Sequence, residues 1–214
     1  MSDPGRMDSL LMSFARAIVA GDAAAALQFV AESPALASAR FENGATRRAA
    51  KTYYLEEIGH YIYAGETALH IAAAAYQHEV ARKLIGTGAD VRARNRRGAE
   101  PLHAAAVGMP GSRNWNPGAQ AATVACLIEA GADPNGTDKT GVTPLHRAVR
   151  TRCAAAVKAL IEGGADVQRK NKNGSTPLLL ATQNTGRGGS GSPEAKAQQQ
   201  EILHLLEQYG ATRS

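Results

Sequence analysis

The chain has few aromatic residues and few cysteines. Only 5% of its 214 residues are aromatic while 44% are hydrophobic, so the core must be built from Ala, Leu, Ile and Val, as suits closely packed short helices. Two cysteines, Cys126 and Cys153, cannot form a disulfide framework. A charged-then-apolar leader and an apolar run of about 18 residues are also missing. These absences argue against a disulfide-rich secreted domain and a membrane span, and predict a cytoplasmic protein.

Signatures of catalysis and of metal binding are missing as well. His60, His78 and His204 lack metal-ligand spacing with each other or with the cysteines, which predicts no metal site. The chain has no nucleophile elbow, no phosphate-binding Gly-x-x-x-x-Gly-Lys-Ser/Thr loop and no local Cys–His signature. The sequence therefore predicts no catalytic residue and no cofactor. Cys126, at an apolar position of a helical segment, is predicted to be a buried thiol.

What the chain does contain is a repeated motif. The sequence Gly-Glu-Thr-Ala-Leu-His-Ile-Ala-Ala at 65–73 returns three times in altered form. Its threonine position falls at Thr67, Glu100, Thr143 and Thr176, in steps of 33, 43 and 33 residues. Gly-Ala-Asp triplets follow the same steps of 43 and 33. The chain is a repeat array.

Each repeat predicts two short helices and a projecting turn. Thr143 can cap a helix by accepting a backbone N–H, and Pro144 suits the first helical position because it lacks a donor that would have no partner. Apolar residues then recur at helical spacing in two stripes. Gly164 follows at a place where a helix end favours a left-handed residue. One such unit cannot bury its apolar face alone, so the repeats must stack.

A 33-residue period with Thr-Pro-Leu-His-x-Ala resembles the ankyrin repeat family over residues 63–212. The resemblance implies an all-α ankyrin-repeat solenoid of stacked helix pairs with finger turns, about five units including atypical caps. It also implies that His70, His103 and His146 are framework groups whose rings hydrogen-bond neighbouring turn backbone. The inserted loops and the abundance of Ala, Arg and Gly indicate a bacterial-type member.

The predicted organisation is an N-terminal capping helix pair at 1–41, an insertion at 42–62, and repeats at 63–214 with insertions at 109–118 and 185–197. The first insertion is predicted to form an extra amphipathic helix, because its apolar residues recur at three- and four-residue intervals. That helix would complete the core beside the first regular repeat, or act as a lid or contact segment. The apolar residues concerned are Tyr54, Leu55, Ile58, Tyr61 and Ile62.

The other two insertions are predicted to share one edge of the solenoid, because both fall between an inner and an outer helix. Arginine side chains and glycine-rich backbone N–H groups suit an anion there, and aromatic rings suit a flat ligand. The alternative is a flexible connector with solvated arginines and a tryptophan that clamps the loop. The residues of this hypothetical ligand edge are Tyr76, Arg113, Trp115, Arg150, Arg152 and Arg187.

Basic residues concentrate on the opposite, finger edge. The formal net charge of +5 is therefore predicted to lie on one ridge, which favours an acidic partner, whereas charged but merely solvated finger tips are the alternative. Nucleic acid is disfavoured because aromatic residues are not interleaved with the fingers. The predicted partner-binding residues are Arg92, Arg94, Arg96, Arg97, Lys139, Arg169, Lys170 and Lys172, with Arg47, Arg48 and Lys51 in the first insertion.

The sequence as a whole predicts a non-catalytic protein–protein interaction module that binds an acidic protein through its basic fingers and inner helices. The competing hypothesis is a binder of a small anionic or aromatic ligand, or an enzyme, that uses the inserted-loop edge. We expect a monomer that does not bind membranes or nucleic acid.

Overall fold

A computed structural model describes residues 4–112, 115–183 and 192–212. These residues form five successive helix pairs, which confirms the predicted all-α solenoid of about five units. None of their helices is long and apolar enough to cross a membrane. The helices are α1 Pro4–Val19, α2 Ala23–Glu32, α3 Ala68–Ala74, α4 His78–Gly86, α5 Pro101–Ala105, α6 Pro117–Glu129, α7 Pro144–Arg150, α8 Ala154–Glu162, α9 Pro177–Thr182 and α10 Pro193–Gln208.

Small residues let the inner helices α3, α5 and α7 pack closely. Each carries one large leucine and, three positions later, an alanine, and all six side chains are fully buried. The alanines remove the bulk that would hold neighbouring backbones apart, so the leucines fill the space between layers. These residues are Leu69, Leu102 and Leu145, and Ala72, Ala105 and Ala148.

The motif histidines join successive repeats, as the family resemblance implies. In each case the ring Nδ1 accepts the backbone N–H of the residue that caps its own helix, at 3.2 to 3.3 Å. The ring Nε2 donates to a carbonyl in the following finger, at 3.0 to 3.2 Å. One ring therefore fixes a helix start and a neighbouring turn at once. The pairs are His70 with Ala99, His103 with Val142 and His146 with Ser175.

The predicted helix in the first insertion does not form. The segment instead contains short 3-10 turns at Lys51–Tyr53 and Glu56–Ile58, and a two-stranded hairpin of β1 Tyr54–Leu55 and β2 His60–Tyr61. Gly59 adopts a left-handed conformation with φ 61°, which ends helical winding and turns the chain back. The rings of Tyr54 and Tyr61 then meet across the strands with centroids 4.6 Å apart.

Candidate functional site

Two residues other than glycine adopt the left-handed backbone conformation where the chain turns from an inner to an outer helix. Tyr76 has φ 56° and Arg152 has φ 60°, in a region that glycine adopts without cost. Such strain, of order 1 kcal/mol, persists only where the surroundings hold the residue in place. The Tyr76 hydroxyl donates a hydrogen bond to the carbonyl of Val107, so it connects the α3–α4 turn to the α5–α6 loop of the next repeat. Arg152 is buried.

Trp115 fastens the second insertion to the solenoid. Its indole Nε1 donates to Oε1 of buried Gln120 at 3.0 Å. Gly108 lies against this contact, because a Cβ there would come within 2.8 Å of both Cys153 Sγ and Tyr76 Oη and within 2.9 Å of the indole nitrogen. Burial raises the pKa of the Cys153 thiol. The packing agrees with the expectation of a clamping tryptophan, yet the indole remains half-buried.

The first and second insertions meet above the inner helices. A Cβ on Gly59 would lie 3.5 Å from Cε of Met109, so the hairpin tip touches the α5–α6 loop. A contact also fixes β2 just after the hairpin tip, because His60 Nε2 lies 2.9 Å from Oε2 of Glu66. Glu66 is buried and also accepts from Asn95 at 2.9 Å. Burial raises the pKa of Glu66, but His60, His70 and Asn95 together outweigh that effect, so the pKa falls below its ordinary value.

The hairpin tip and the α5–α6 loop border a cavity of about 530 Å³, which we call the insertion cavity. Its walls come from the hairpin tip, the ends of α3 and α7, the α5–α6 loop and two fingers. The volume falls in the range of sites that bind small molecules or side chains. The residues that line the cavity include Glu56, Glu57, Ile58, Gly59, Ala74, Tyr76, Arg97, Val107, Met109, Trp115, Asp138, Thr140, Arg147 and Arg150.

A half-buried ion pair forms the finger wall of this cavity. Arg147 Nη2 lies 2.9 Å from Oδ2 of Asp138. Burial raises the pKa of Asp138, but hydrogen bonds from Thr140 and Arg147 more than offset that effect and lower it to about 2. On the same side, Arg97 donates to the hydroxyl of Tyr63 at 3.0 Å. The wall is therefore polar and firmly hydrogen-bonded.

The hypothetical ligand edge is only partly assembled at the cavity. Tyr76, Trp115 and Arg150 line it, whereas Arg152 does not. Arg113 and Arg187 lie outside the described residues. Acidic residues of the hairpin and of the second finger line the cavity alongside its arginines, so the wall is not the uniformly basic surface that an anion site needs. A small anionic ligand at this edge stays a prediction.

The tips of the fingers, which are the projecting turns between repeats, stack through one backbone hydrogen bond per step. Arg96 N donates to Ala64 O at 2.7 Å, Lys139 N to Arg97 O at 3.0 Å, and Lys172 N to Thr140 O at 3.2 Å. The close approach requires glycine at the tips, since a Cβ on Gly98 or Gly141 would come within about 3 Å of the next finger. Basic residues of three successive fingers are thus neighbours. We call them the finger ridge: Arg92, Arg94, Arg96, Arg97, Lys139, Arg169, Lys170 and Lys172.

The arginines of the first finger contact acidic side chains and an aromatic ring within the protein. Arg94 pairs with buried Glu100 at 3.0 Å, and Arg92 approaches Asp133 at 3.7 Å. Arg96 and Arg97 place their guanidinium groups over the Tyr63 ring, 5.2 and 5.1 Å from its centroid. The other residues of the finger ridge are exposed and form no ion pair within the described parts of the chain. They are Lys139, Arg169, Lys170 and Lys172.

Sequence reasoning missed the hairpin and finger walls of the insertion cavity. The available signal was Tyr-Leu-Glu-Glu-Ile-Gly-His-Tyr at 54–61, in which aromatic and apolar residues flank a glycine-containing turn. No local signal marks Met109 as the residue that the hairpin reaches. Within the described residues, no group of three or more His, Cys, Asp or Glu side chains is placed to hold a metal ion.

Comparison with known proteins identifies the repeats. The family model of a single ankyrin repeat matches residues 64–96, and that of ankyrin repeats in three copies matches 116–211. The unmatched stretch between them contains residues 109–115 of the second insertion. The mouse (Mus musculus) protein ankyrin repeat and SOCS box protein 16 is 37% identical over 89 residues, which are 41% of this chain and 19% of that relative. The chain belongs to the ankyrin repeat family.

Proposed function

We propose that this chain is a non-catalytic protein-interaction module whose finger ridge binds an acidic surface of a partner protein. Ankyrin repeats generally mediate protein–protein interaction. The observation that carries the finer proposal is the finger-to-finger hydrogen bonding, which lines up Arg97, Lys139 and Lys172 on consecutive tips. The stack fixes the backbone positions of these residues, so only their side chains have to be ordered when a partner binds.

The charge of the ridge supports an acidic partner. The protein carries a formal net charge of +5, and the exposed cations of the later fingers have no internal counter-charge within the described residues. Exposed like charges on one surface attract an oppositely charged partner and accelerate the encounter, with a strong dependence on salt. The arginines of the first finger stabilise the fingers themselves. We therefore assign the main partner contacts to Lys139, Arg169, Lys170 and Lys172.

The same proposal places the protein in the cytoplasm as a monomer. Both cysteines are free and buried, as suits a reducing compartment. The exposed positive ridge disfavours self-association through that surface, because like charges would meet.

Charge reversal at the ridge tests the proposal. One bait carries Lys139→Glu, Lys170→Glu and Lys172→Glu, which spare the arginines that hold the first finger. A matched bait carries Arg82→Glu, Lys83→Glu and Lys196→Glu, which are exposed on outer helices and change the net charge equally. Each bait and the wild type are used for affinity capture from an extract of the source organism, and the captured proteins are identified by mass spectrometry.

We expect the wild type and the outer-helix bait to retain the same acidic protein, and the ridge bait to lose it. Raising the salt concentration should weaken capture by the wild type, because exposed charge pairs are screened. Equal capture by all three baits, or loss with both reversed baits, contradicts a specific role for the ridge.

A further inference from the structure

Exposed apolar side chains gather around the insertion cavity. The described residues include seven large apolar side chains that are exposed, and four of these belong to the hairpin or to the end and following loop of α5. Val107 and Met109 line the cavity itself. Tyr54 Oη would lie 3.8 Å from a Cβ on Gly59 at the hairpin tip. Apolar residues clustered around a pocket with a polar border are typical of an interaction site.

We propose that the insertion cavity receives one large apolar side chain from an extended acidic segment of the partner protein. This inference rests on the proposed function of the finger ridge and adds a second contact to it. Protein interfaces concentrate their binding energy in a few aromatic or other large side chains that fill well-formed pockets. The half-buried ring of Trp115 and the side chains of Ile58 and Met109 provide apolar walls for such an anchor.

The cavity and the ridge adjoin each other. Arg97 and Thr140 line the cavity, and both lie directly beside Lys139, whose backbone N–H bonds to the carbonyl of Arg97. The next step of the same stack joins Thr140 to Lys172. A segment that pairs its acidic residues with Lys139 and Lys172 therefore has an apolar pocket within reach of its adjoining residues.

The charges of the cavity border set the direction of the bound segment. Glu56 and Glu57 lie in the exposed turn at the hairpin end of the cavity. The Glu56 carboxylate repels acidic residues, whereas the finger end carries the ridge cations. We infer that acidic residues flank the anchor on one side only, and that neutral or basic residues follow it toward the hairpin.

The experiment separates the cavity from the ridge with matched variants. Ala74→Phe fills the cavity without a change of charge, because Ala74 lines it and is only partly buried. Ala122→Phe adds the same ring at an exposed position of outer helix α6. Val107→Phe is a second cavity-filling variant if Ala74→Phe does not fold, as judged by circular dichroism. Random dodecapeptides displayed on phage are selected on the wild type, and the enriched peptides are synthesised for titration.

Binding is followed through the fluorescence of Trp115, the only tryptophan of the chain. We expect the enriched peptides to combine one large apolar residue with acidic residues on one side of it, and to change the Trp115 emission. The cavity-filling variant should bind these peptides at least tenfold more weakly than the wild type, and Ala122→Phe should bind them equally well. Replacing the anchor residue of the peptide by alanine should reproduce the loss.

The other outcomes overturn one or both proposals. Acidic peptides without an apolar anchor, bound equally by wild type and cavity-filling variant, would overturn the cavity inference and leave the ridge intact. A second outcome is that the peptides need their apolar anchor residue but bind the variant with reversed ridge charges as tightly as the wild type. This outcome would support binding in the cavity and contradict the proposed acidic contact with the ridge. Failure to enrich any peptide that needs the cavity overturns the inference, including a result in which the cavity takes small molecules alone.

Discussion

Mild acid is expected to destabilise the fold through the motif histidines. Burial lowers the pKa of His103 from 6.5 to about 3, and it lowers the pKa values of His70 and His146 in the same direction. A histidine whose folded pKa is depressed contributes stability above its unfolded pKa and loses it as the pH falls toward the folded value. The loss therefore begins near pH 6.5, well above the range in which exposed carboxylates titrate.

His103 alone gives a magnitude. At pH 5 the unfolded chain protonates this histidine while the folded ring remains neutral, because burial disfavours the charged ring and Nδ1 is already occupied as the acceptor of the Glu100 N–H. One pH unit corresponds to about 1.4 kcal/mol, so lowering the pH from 7 to 5 removes about 2 kcal/mol from the free energy of unfolding. The other two histidines add to this loss in the same direction.

Urea denaturation followed by circular dichroism measures the effect. His103→Gln removes the titrating ring, so the stability of this variant should fall about 2 kcal/mol less than that of the wild type between pH 7 and pH 5. Leu102→Val weakens the neighbouring core position but retains His103, and its pH profile should stay parallel to the wild type. Parallel profiles for His103→Gln and the wild type would refute the idea that the folded protein holds His103 neutral.

Substitutions at glycines and the thiols give further tests. Gly164→Ala should lower the free energy of unfolding by about 1 kcal/mol, because alanine is strained at a φ of 93° even though the space around it is open. Gly86→Ala has equally open space but ordinary helical backbone, so it should raise the free energy of unfolding by about 0.5 kcal/mol. Urea titration of the two variants measures the difference. Gly108→Ala should cost about 1–3 kcal/mol and shift the tryptophan emission, because its Cβ meets three tightly packed atoms. Cys126 and Cys153 should react with a thiol reagent only after unfolding, since both are buried with raised pKa values; rapid reaction of the native protein would contradict this packing.

The features that sequence predicted are those encoded locally. Thr143 caps its helix by accepting the His146 N–H at 3.3 Å, and Gly164 adopts the left-handed backbone that the helix end requires. Both depend on a few adjoining residues, so a repeated motif reveals them. The role of His146 was implied by the family resemblance, and its ring does reach the Ser175 carbonyl in the following finger.

The remaining features depend on contacts between distant segments. The spacing of Tyr54, Ile58 and Tyr61 suits a helix, but Gly59 and the cross-strand tyrosine pair favour a hairpin instead. The insertion cavity exists because the hairpin reaches Met109, about fifty residues away in the chain. The sequence showed the charge of the finger ridge but not that Arg94, Arg96 and Arg97 would be used to hold the fingers.

The histidine links give the array a direction. Each ring donates forward, to a carbonyl in the finger of the next repeat, so an array cut after α8 would remove the acceptor of the His146 ring. A cut before α5 would instead remove the ring that donates to the carbonyl of Ala99. In the last pair, α9 carries Leu179 at this place, 48% exposed, where no forward acceptor is needed. A shortened ankyrin array built from this chain should therefore carry leucine in place of its final motif histidine.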